Sequence, residues 1–154
     1  LRENINNLRK YKNLFLNGNN ENLDNIKEYI LKINPTINIY EGRYIVLNIN
    51  EFDKKDKYLA FSGIGNHKTF ISMLKINKFD VIKELEFPDH YDYSNDDIEK
   101  IISLSKKDNC KIITTEKDYN RLSQNLNKEI KFIKSELEIV NEEYFLDNLL
   151  KLYE

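Results

Sequence analysis

The sequence has few of the residues that form disulfides or end helices and strands, and it has no tryptophan. Its 154 residues include one cysteine, two prolines and four glycines. The single cysteine, Cys110, excludes an internal disulfide and is typical of a reducing compartment. No apolar run approaches the roughly 18 residues that a membrane-spanning helix needs, and we expect no signal peptide at the start of the chain. A disulfide scaffold and an integral membrane protein are therefore not predicted.

Several catalytic sequence motifs are absent as well. The chain has no G-x-x-x-x-G-K-[ST], H-E-x-x-H, C-x-x-C or G-x-S-x-G segment. Without the first of these, it lacks the backbone cradle and the lysine with which a P-loop kinase holds the β- and γ-phosphates. A complete enzyme of these classes is excluded. The first residue is Leu1 and not methionine, so we expect an excised domain or a fragment.

The composition is that of a soluble globular protein. Apolar residues make up 40% and charged residues 32% of the chain, which distinguishes it from disordered segments. A chain of this length buries roughly 70% of its unfolded surface, enough for one core, and we predict a single domain over residues 1–154. The net charge is −2 with both signs interspersed, which argues against a nucleic-acid partner.

Apolar runs of strand length alternate with apolar stripes at helical spacing along most of the chain. From residue 58 onward the pattern predicts strands over residues 58–64, 81–87, 111–115 and 129–135, with helices between them and a last helix after them. This alternation predicts an α/β fold: a mostly parallel sheet with helices on both faces, in three layers. Nearer the start, a strand over 11–16 and a helix over 23–33 precede an antiparallel hairpin between Ile37 and Ile49, with its turn at residues 41–43.

Polar or glycine-containing segments follow three of the four later strands. Because ligands of open parallel sheets bind at the carboxyl ends of the strands, these segments predict a site along one edge. They are Ser62-Gly63-Ile64-Gly65-Asn66, Phe87-Pro88-Asp89-His90 and Thr114-Thr115-Glu116-Lys117-Asp118.

The first segment has two interpretations. Its backbone amides could hold an anion at the start of the following helix. Alternatively, the glycines make a tight turn and Asn66 caps the helix. His67, just beyond it, is expected to be an exposed residue of the first helical turn.

Asp89 and His90 are the catalytic candidates by residue type, since an imidazole exchanges protons near neutral pH and a carboxylate next to it can orient it. The alternative is a histidine that merely fills a loop. In the third segment, Thr115 is expected to be an N-cap, with Glu116 and Asp118 in the first turn. Lys117 does not suit a helix N-terminus, and it indicates a phosphate, carboxylate or acidic partner.

Taken together and in this order, the three segments resemble the C-terminal part of the tetraacyldisaccharide 4'-kinases, the lipid A 4'-kinase family. Arg121-Leu122 also matches the basic-plus-leucine ending of the last motif, whereas His67 stands where the family commonly has proline. The resemblance extends over essentially the whole chain, and its specificity is concentrated between Ala60 and Leu122.

The resemblance implies a Gram-negative enzyme at the cytoplasmic face of the inner membrane. Such an enzyme transfers the γ-phosphate of ATP, with Mg²⁺, to the 4'-hydroxyl of a tetraacylated disaccharide 1-phosphate in lipid A synthesis. ATP and Mg²⁺ would be bound mainly by an N-terminal P-loop domain, which would be the partner of this one. The family's Asp-His motif carries over to Asp89 and His90, and no metal ligand is expected in this chain. The lining of the cleft is expected to include Ser62, Gly63, Gly65, Asn66, Thr115, Glu116, Lys117 and Asp118.

Two other hypotheses use the same residues. A free-standing, flavodoxin-like α/β module would bind an anionic small ligand at the same sheet edge. A purely structural or partner-binding domain predicts no clustering of Gly65, His90 and Thr115. A phosphate loop upstream of Leu1 would decide for the kinase.

Overall fold

A computed structural model describes residues 4–17, 23–122 and 129–151. The chain divides into two compact units, which we call the terminal unit (Leu1–Tyr44 with Leu137–Glu154) and the central unit (Ile45–Glu136). Two sheets are present in the described ranges, one of three strands and one of four. The single domain over residues 1–154 stays a prediction.

The described residues form seven strands, five α-helices and two short 3-10 helices. The strands are β1 (Asn13–Asn17), β2 (Asn38–Val46), β3 (Lys57–Ser62), β4 (Asp80–Glu86), β5 (Lys111–Thr115), β6 (Ile130–Ile133) and β7 (Ser135–Val140). The α-helices are α1 (Leu23–Ile33), α2 (His67–Ile76), α3 (Asn95–Lys107), α4 (Glu116–Tyr119) and α5 (Glu142–Leu150), and short 3-10 helices cover Ile5–Lys10 and Ile49–Glu51.

The central unit contains a parallel sheet with strand order β4-β3-β5-β6, in which every neighbouring pair is parallel. The inner strand β3 is buried from Tyr58 to Ser62, as expected for an apolar run in a parallel sheet that is covered on both faces. On one face, Leu59 and Phe61 pack with Ile98 and Ile101 of α3. Ser62 points to the opposite face, where it contacts α2. Helices therefore cover both faces, and the predicted α/β architecture is confirmed.

Helix α3 begins at a capping box formed by Ser94 and Asp97. The Ser94 hydroxyl accepts a hydrogen bond from the backbone N–H of Asp97 at 3.2 Å, and the Asp97 carboxylate accepts one from the backbone N–H of Ser94 at 3.0 Å. This cap fixes the point at which the loop after β4 enters the helix.

The terminal unit corrects the hairpin predicted between Ile37 and Ile49. Residues 38–46 form the one continuous strand β2, which pairs in parallel with β1 and has β7 on its other side in a mixed sheet. The glycine expected to turn the chain, Gly42, serves close packing instead. A Cβ atom on Gly42 would lie 2.7 Å from the Phe15 ring and 2.9 Å from Leu137. The hairpin turn was wrong because a glycine in a strand also permits close approach of neighbouring side chains.

None of the helices in the described ranges is both long and apolar enough to cross a membrane.

Replacing Leu59 by alanine tests the core of the central unit. Leu59 is fully buried, so Leu59→Ala is expected to lower the free energy of unfolding by about 2–5 kcal/mol. Ile76→Ala is the control, since Ile76 is 58% exposed and its truncation is expected to change the free energy by less than about 0.5 kcal/mol. Urea denaturation followed by circular dichroism measures both, and equal losses would contradict the assigned burial.

Candidate functional site at the carboxyl edge of the central sheet

The loops that follow β3, β4 and β5 meet at the carboxyl edge of the central sheet, as the sequence predicts. The carbonyl oxygen of Gly63 is their common point. It accepts a hydrogen bond from the backbone N–H of His90 at 3.0 Å and one from Nη1 of Arg121 at 3.3 Å. Asp89 also approaches the glycine turn, since its Oδ2 lies 3.3 Å from the position of a Cβ on Gly65. We call Gly63, Gly65, Asp89, His90 and Arg121 the carboxyl-edge site.

His90 stands at the surface of this site in an unusual backbone conformation. Its φ of 59° is in the left-handed region, which costs energy for a residue with a side chain and is held here by the bond to Gly63. The side chain is 72% exposed. Nδ1 of the ring lies 3.1 Å from Nη2 of Arg121, and Nε2 lies 3.9 Å from Oδ2 of Asp89. The ring is therefore accessible and directed by its neighbours.

An aromatic cluster beneath His90 supports the loop that carries it. The rings of Phe87, Tyr91 and Tyr93 contact one another with centroids 5.0–5.3 Å apart, and Tyr93 also contacts Phe61 of β3. The Tyr91 hydroxyl donates a hydrogen bond to Asp97 in the first turn of α3. Burial raises the pKa of Tyr93, whose hydroxyl stays protonated. The loop after β4 is thus packed against the sheet on an apolar base.

The third predicted segment divides between buried and exposed side chains. Thr115 caps α4 as predicted: its Oγ1 accepts a bond from the backbone N–H of Asp118 at 3.1 Å and donates to Oδ2 of Asp118 at 2.7 Å. Asp118 is fully buried, whereas Glu116 and Lys117 are exposed. Within this segment, Asp118 lies beneath the surface, and the exposed charges are those of Glu116 and Lys117.

Arg121 is the residue of the carboxyl-edge site that sequence reasoning did not place there. Its guanidinium bonds the Gly63 carbonyl and the His90 ring, and Nη1 lies 3.5 Å from Oδ1 of Asp118. The i, i+3 spacing of Asp118, in α4, and Arg121, in the turn after that helix, was the available signal. The contact between Arg121 and His90, which follows β4, depends on the order of the strands in the sheet.

In the first predicted segment, the tight-turn interpretation accounts for the polar residues. Asn66 caps α2, with its Oδ1 accepting a bond from the backbone N–H of Thr69 at 3.1 Å. Ser62 and Gly63 are buried, and Gly65 and Asn66 are exposed. The segment positions the Gly63 carbonyl and leaves Gly65 open at the surface.

The expectation that His67 is exposed was wrong. His67 is only 5% exposed, and its Nδ1 lies 2.7 Å from Oγ of Ser62 in the interior. Desolvation lowers the pKa of His67, although the charges of Glu86, Glu84 and Asp118 oppose that shift. The position of His67 in the first turn of a helix suggested exposure to solvent. The turn before α2 directs its side chain toward the sheet, where it contacts the buried Ser62 hydroxyl.

A metal centre is not evident in the part of the chain that the structure describes: it contains no group of three or more histidine, cysteine, aspartate or glutamate side chains placed to hold an ion.

Comparisons with known proteins match the chain along its whole length. A profile of the family described as Tetraacyldisaccharide-1-P 4'-kinase matches residues 1–154. The chain belongs to this family. The resemblance seen in the three motifs is thereby confirmed.

Curated 4'-kinases of two bacterial genera illustrate the match. A Tetraacyldisaccharide 4'-kinase of Pelagibacter ubique (strain HTCC1062) is 60% identical over 155 residues, covering 100% of this chain and 49% of the relative. One of Rickettsia akari (strain Hartford) is 37% identical over 119 residues, covering 77% of this chain and 36% of the relative. The chain thus spans at most about half the length of these two 4'-kinases.

A crystal structure described as the "apo" form of LpxK from Aquifex aeolicus in complex with ATP aligns over 100% of this chain and 46% of its own length. Its TM-score is 0.49 and its sequence identity 20%.

Two glycine substitutions test the packing of the carboxyl-edge site. A Cβ on Gly63 would lie 3.0 Å from the Pro88 carbonyl and 3.0 Å from the Tyr93 hydroxyl, so Gly63→Ala is expected to displace the loop after β4 and to cost about 1–3 kcal/mol. Gly65→Ala meets only the end of the Asp89 side chain, which can move, and is expected to cost less. Thermal melts of both variants measure the difference, and a larger loss for Gly65→Ala would refute the described turn.

Proposed function

We propose that this chain is the C-terminal domain of a kinase that transfers the γ-phosphate of ATP to the 4'-hydroxyl of tetraacyldisaccharide 1-phosphate in lipid A biosynthesis. The observation that carries the proposal is the exposed His90 beside Asp89, at a sheet edge formed by all three motif segments. Membership of the 4'-kinase family supports the reaction class, and it disfavours an unrelated flavodoxin-like module.

In the proposed reaction, an oxygen of the disaccharide attacks the γ-phosphorus in line. The new P–O bond forms as the bond to the β-phosphate oxygen of ATP breaks, ADP leaves, and the hydroxyl proton passes to an aspartate base of the N-terminal half. Phosphoryl transfer needs mainly positioning and charge stabilisation, which a domain closing over the site provides. His90 would orient that base or assist removal of the proton, and Asp89 would help to direct the ring.

The other candidate residues would act as lining or support of the cleft between this domain and the N-terminal half. Gly65, Asn66, Glu116 and Lys117 are exposed and are proposed to face nucleotide or sugar. The buried residues Ser62, Gly63 and Asp118, with the partly buried cap Thr115, would hold the loops in place.

ATP and Mg²⁺ are proposed to be bound mainly by the N-terminal P-loop domain. Among the described residues there is no group of three or more histidine, cysteine, aspartate or glutamate side chains that could hold a metal ion. The full-length protein would work at the cytoplasmic face of the bacterial inner membrane, where its lipid substrate lies, and would contact the membrane surface there.

The 154-residue chain by itself is expected to have no ATP-dependent kinase activity, because its sequence contains no phosphate loop to cradle a triphosphate. The measurement is transfer of labelled phosphate from ATP to the disaccharide acceptor. Turnover above a no-enzyme control would show that the chain binds ATP without the N-terminal half.

In the full-length kinase, His90→Ala is expected to lower kcat by about 10²–10⁴-fold, the usual range for assistance of proton transfer. The melting temperature and KM for ATP are expected to change little, since the side chain is 72% exposed and leaves no cavity. Steady-state kinetics and thermal melts measure these quantities.

The matched control for His90→Ala is Lys54→Ala. Lys54 is exposed in the turn before β3, at the opposite edge of the sheet, and kcat is expected to stay within about threefold of the parent, as for most surface changes. Near-parental kcat for His90→Ala, or a loss of activity that follows a collapsed melting temperature, would make His90 a structural residue.

A further inference from the structure

Arg121 is a cationic residue of the carboxyl-edge site that has no role in the proposed reaction. The Arg121 side chain is only 22% exposed, and its guanidinium faces a fully buried carboxylate, Asp118. Buried charges in proteins are stable when they are paired and hydrogen-bonded. The Asp118 carboxylate also accepts a hydrogen bond from the Thr115 hydroxyl, so Asp118 and Arg121 form a pair anchored at the N-cap of α4.

The guanidinium places His90 relative to the sheet through two different groups. Nη1 of Arg121 donates to the Gly63 carbonyl, which also accepts the backbone N–H of His90. Nη2 of Arg121 lies 3.1 Å from Nδ1 of the His90 ring. Arg121 therefore contacts the His90 ring directly and shares the Gly63 carbonyl with the His90 backbone, although the ring itself is exposed.

The chemistry of arginine decides which ring nitrogen carries the proton. A guanidinium has five N–H donors and no acceptor, and it does not lose its proton in proteins. The contact with Nδ1 is a hydrogen bond only if Nδ1 offers a lone pair. A neutral imidazole with an acceptor at Nδ1 has its proton at Nε2. A doubly protonated ring would instead set one N–H against another.

We infer that Arg121 is a positioning residue that holds His90 as the Nε2–H tautomer, with Nε2 as a hydrogen-bond donor toward the substrate cleft. This inference rests on the proposed function of His90 and makes it more specific. With Nδ1 engaged by Arg121 and Nε2 already protonated, the ring has no nitrogen free to take the proton of the sugar hydroxyl. His90 donates to an anionic acceptor instead: the carboxylate of the base or an oxygen of the transferred phosphoryl group. The proton goes to the base.

Asp89 does not compete for that donor in the observed arrangement. Its Oδ2 lies 3.9 Å from Nε2, beyond hydrogen-bond distance, and its side chain is 55% exposed. The Nε2–H group remains available to a ligand or to a carboxylate of the N-terminal half.

The tautomer can be measured without any turnover. The full-length kinase is labelled with ¹⁵N in its histidine rings, and His90→Gln assigns the His90 signals by their disappearance. At a pH where the ring is neutral, the parent is expected to show a proton-bearing Nε2 and a lone-pair Nδ1. Arg121→Lys keeps a charge for Asp118 but loses the fork, and it is expected to shift the His90 signals toward the other tautomer. A proton on Nδ1 in the parent overturns the inference.

Arg43→Lys is the matched control. Arg43 is an exposed arginine of the terminal unit that pairs with Glu138, and its replacement is expected to leave the His90 signals and kcat unchanged. If Arg43→Lys moves the His90 signals as much as Arg121→Lys does, the effect of Arg121 is not local and the inference fails.

Kinetics of the double variant separate positioning from a general structural role. Arg121→Lys is expected to lower kcat by about 10- to 100-fold, by analogy with the loss of a partner that orients a metal-ligating histidine, with KM for ATP nearly unchanged. In the His90→Ala background it is expected to cause no further loss, because Arg121 acts through His90. An equal loss in both backgrounds, or no loss in either, contradicts the inference.

The two proposals fail separately. Parental kcat in His90→Ala refutes the proposed function of His90 but leaves the tautomer measurement standing. A proton on Nδ1 refutes the inference while His90→Ala can still abolish activity. If Arg121→Lys does not fold, as thermal melts would show, the ring signals of the parent protein alone decide.

Discussion

The central unit depends on the burial of β3 on both of its faces. Every residue from Tyr58 to Ser62 is at most 1% exposed, so the strand requires a hydrogen-bonded neighbour on each side and a helical layer above and below. Parallel pairing with β4 and β5 meets the first requirement, and α2 and α3 meet the second. The same arrangement directs the ends of β3, β4 and β5 to one edge. The candidate site is thus a consequence of how the core is closed.

At that edge, the Gly63 carbonyl and the Asp118 carboxylate are both removed from water, and both are hydrogen-bonded. Gly63 follows the last residue of β3, and its carbonyl accepts two hydrogen bonds, one from the loop after β4 and one from the turn after α4. The buried carboxylate of Asp118 receives a hydroxyl and a guanidinium. An unpaired charge in such a place would be strongly destabilising, so these contacts specify the loop geometry more than they add net stability. These hydrogen-bonded loops present His90, which is exposed and has a strained backbone conformation.

Local chemistry and tertiary placement disagree most for small polar residues and glycines. His67 was expected at the surface and Ser62 in the lining of the cleft, yet each satisfies the other in the interior. Gly42 reads as a turn, yet it makes room for Phe15 and Leu137 inside a strand. In both cases the local sequence permits the observed role, and the neighbours that select it lie elsewhere in the chain.

The sequence by itself determined the alternation of strands and helices, the caps at Asn66 and Thr115, and the edge at which the three motifs meet. These features follow from periodicity and from side chains that bond their own backbone within a few residues. It also indicated the family, since the residues within each of the three motifs are contiguous in the chain. Only the tertiary structure decided that Arg121 bonds His90, that His67 is buried and that residues 38–46 form one strand. Those outcomes depend on side chains and strands that are distant in the chain, such as positions 90 and 121, and no local pattern records which distant partner a residue will meet.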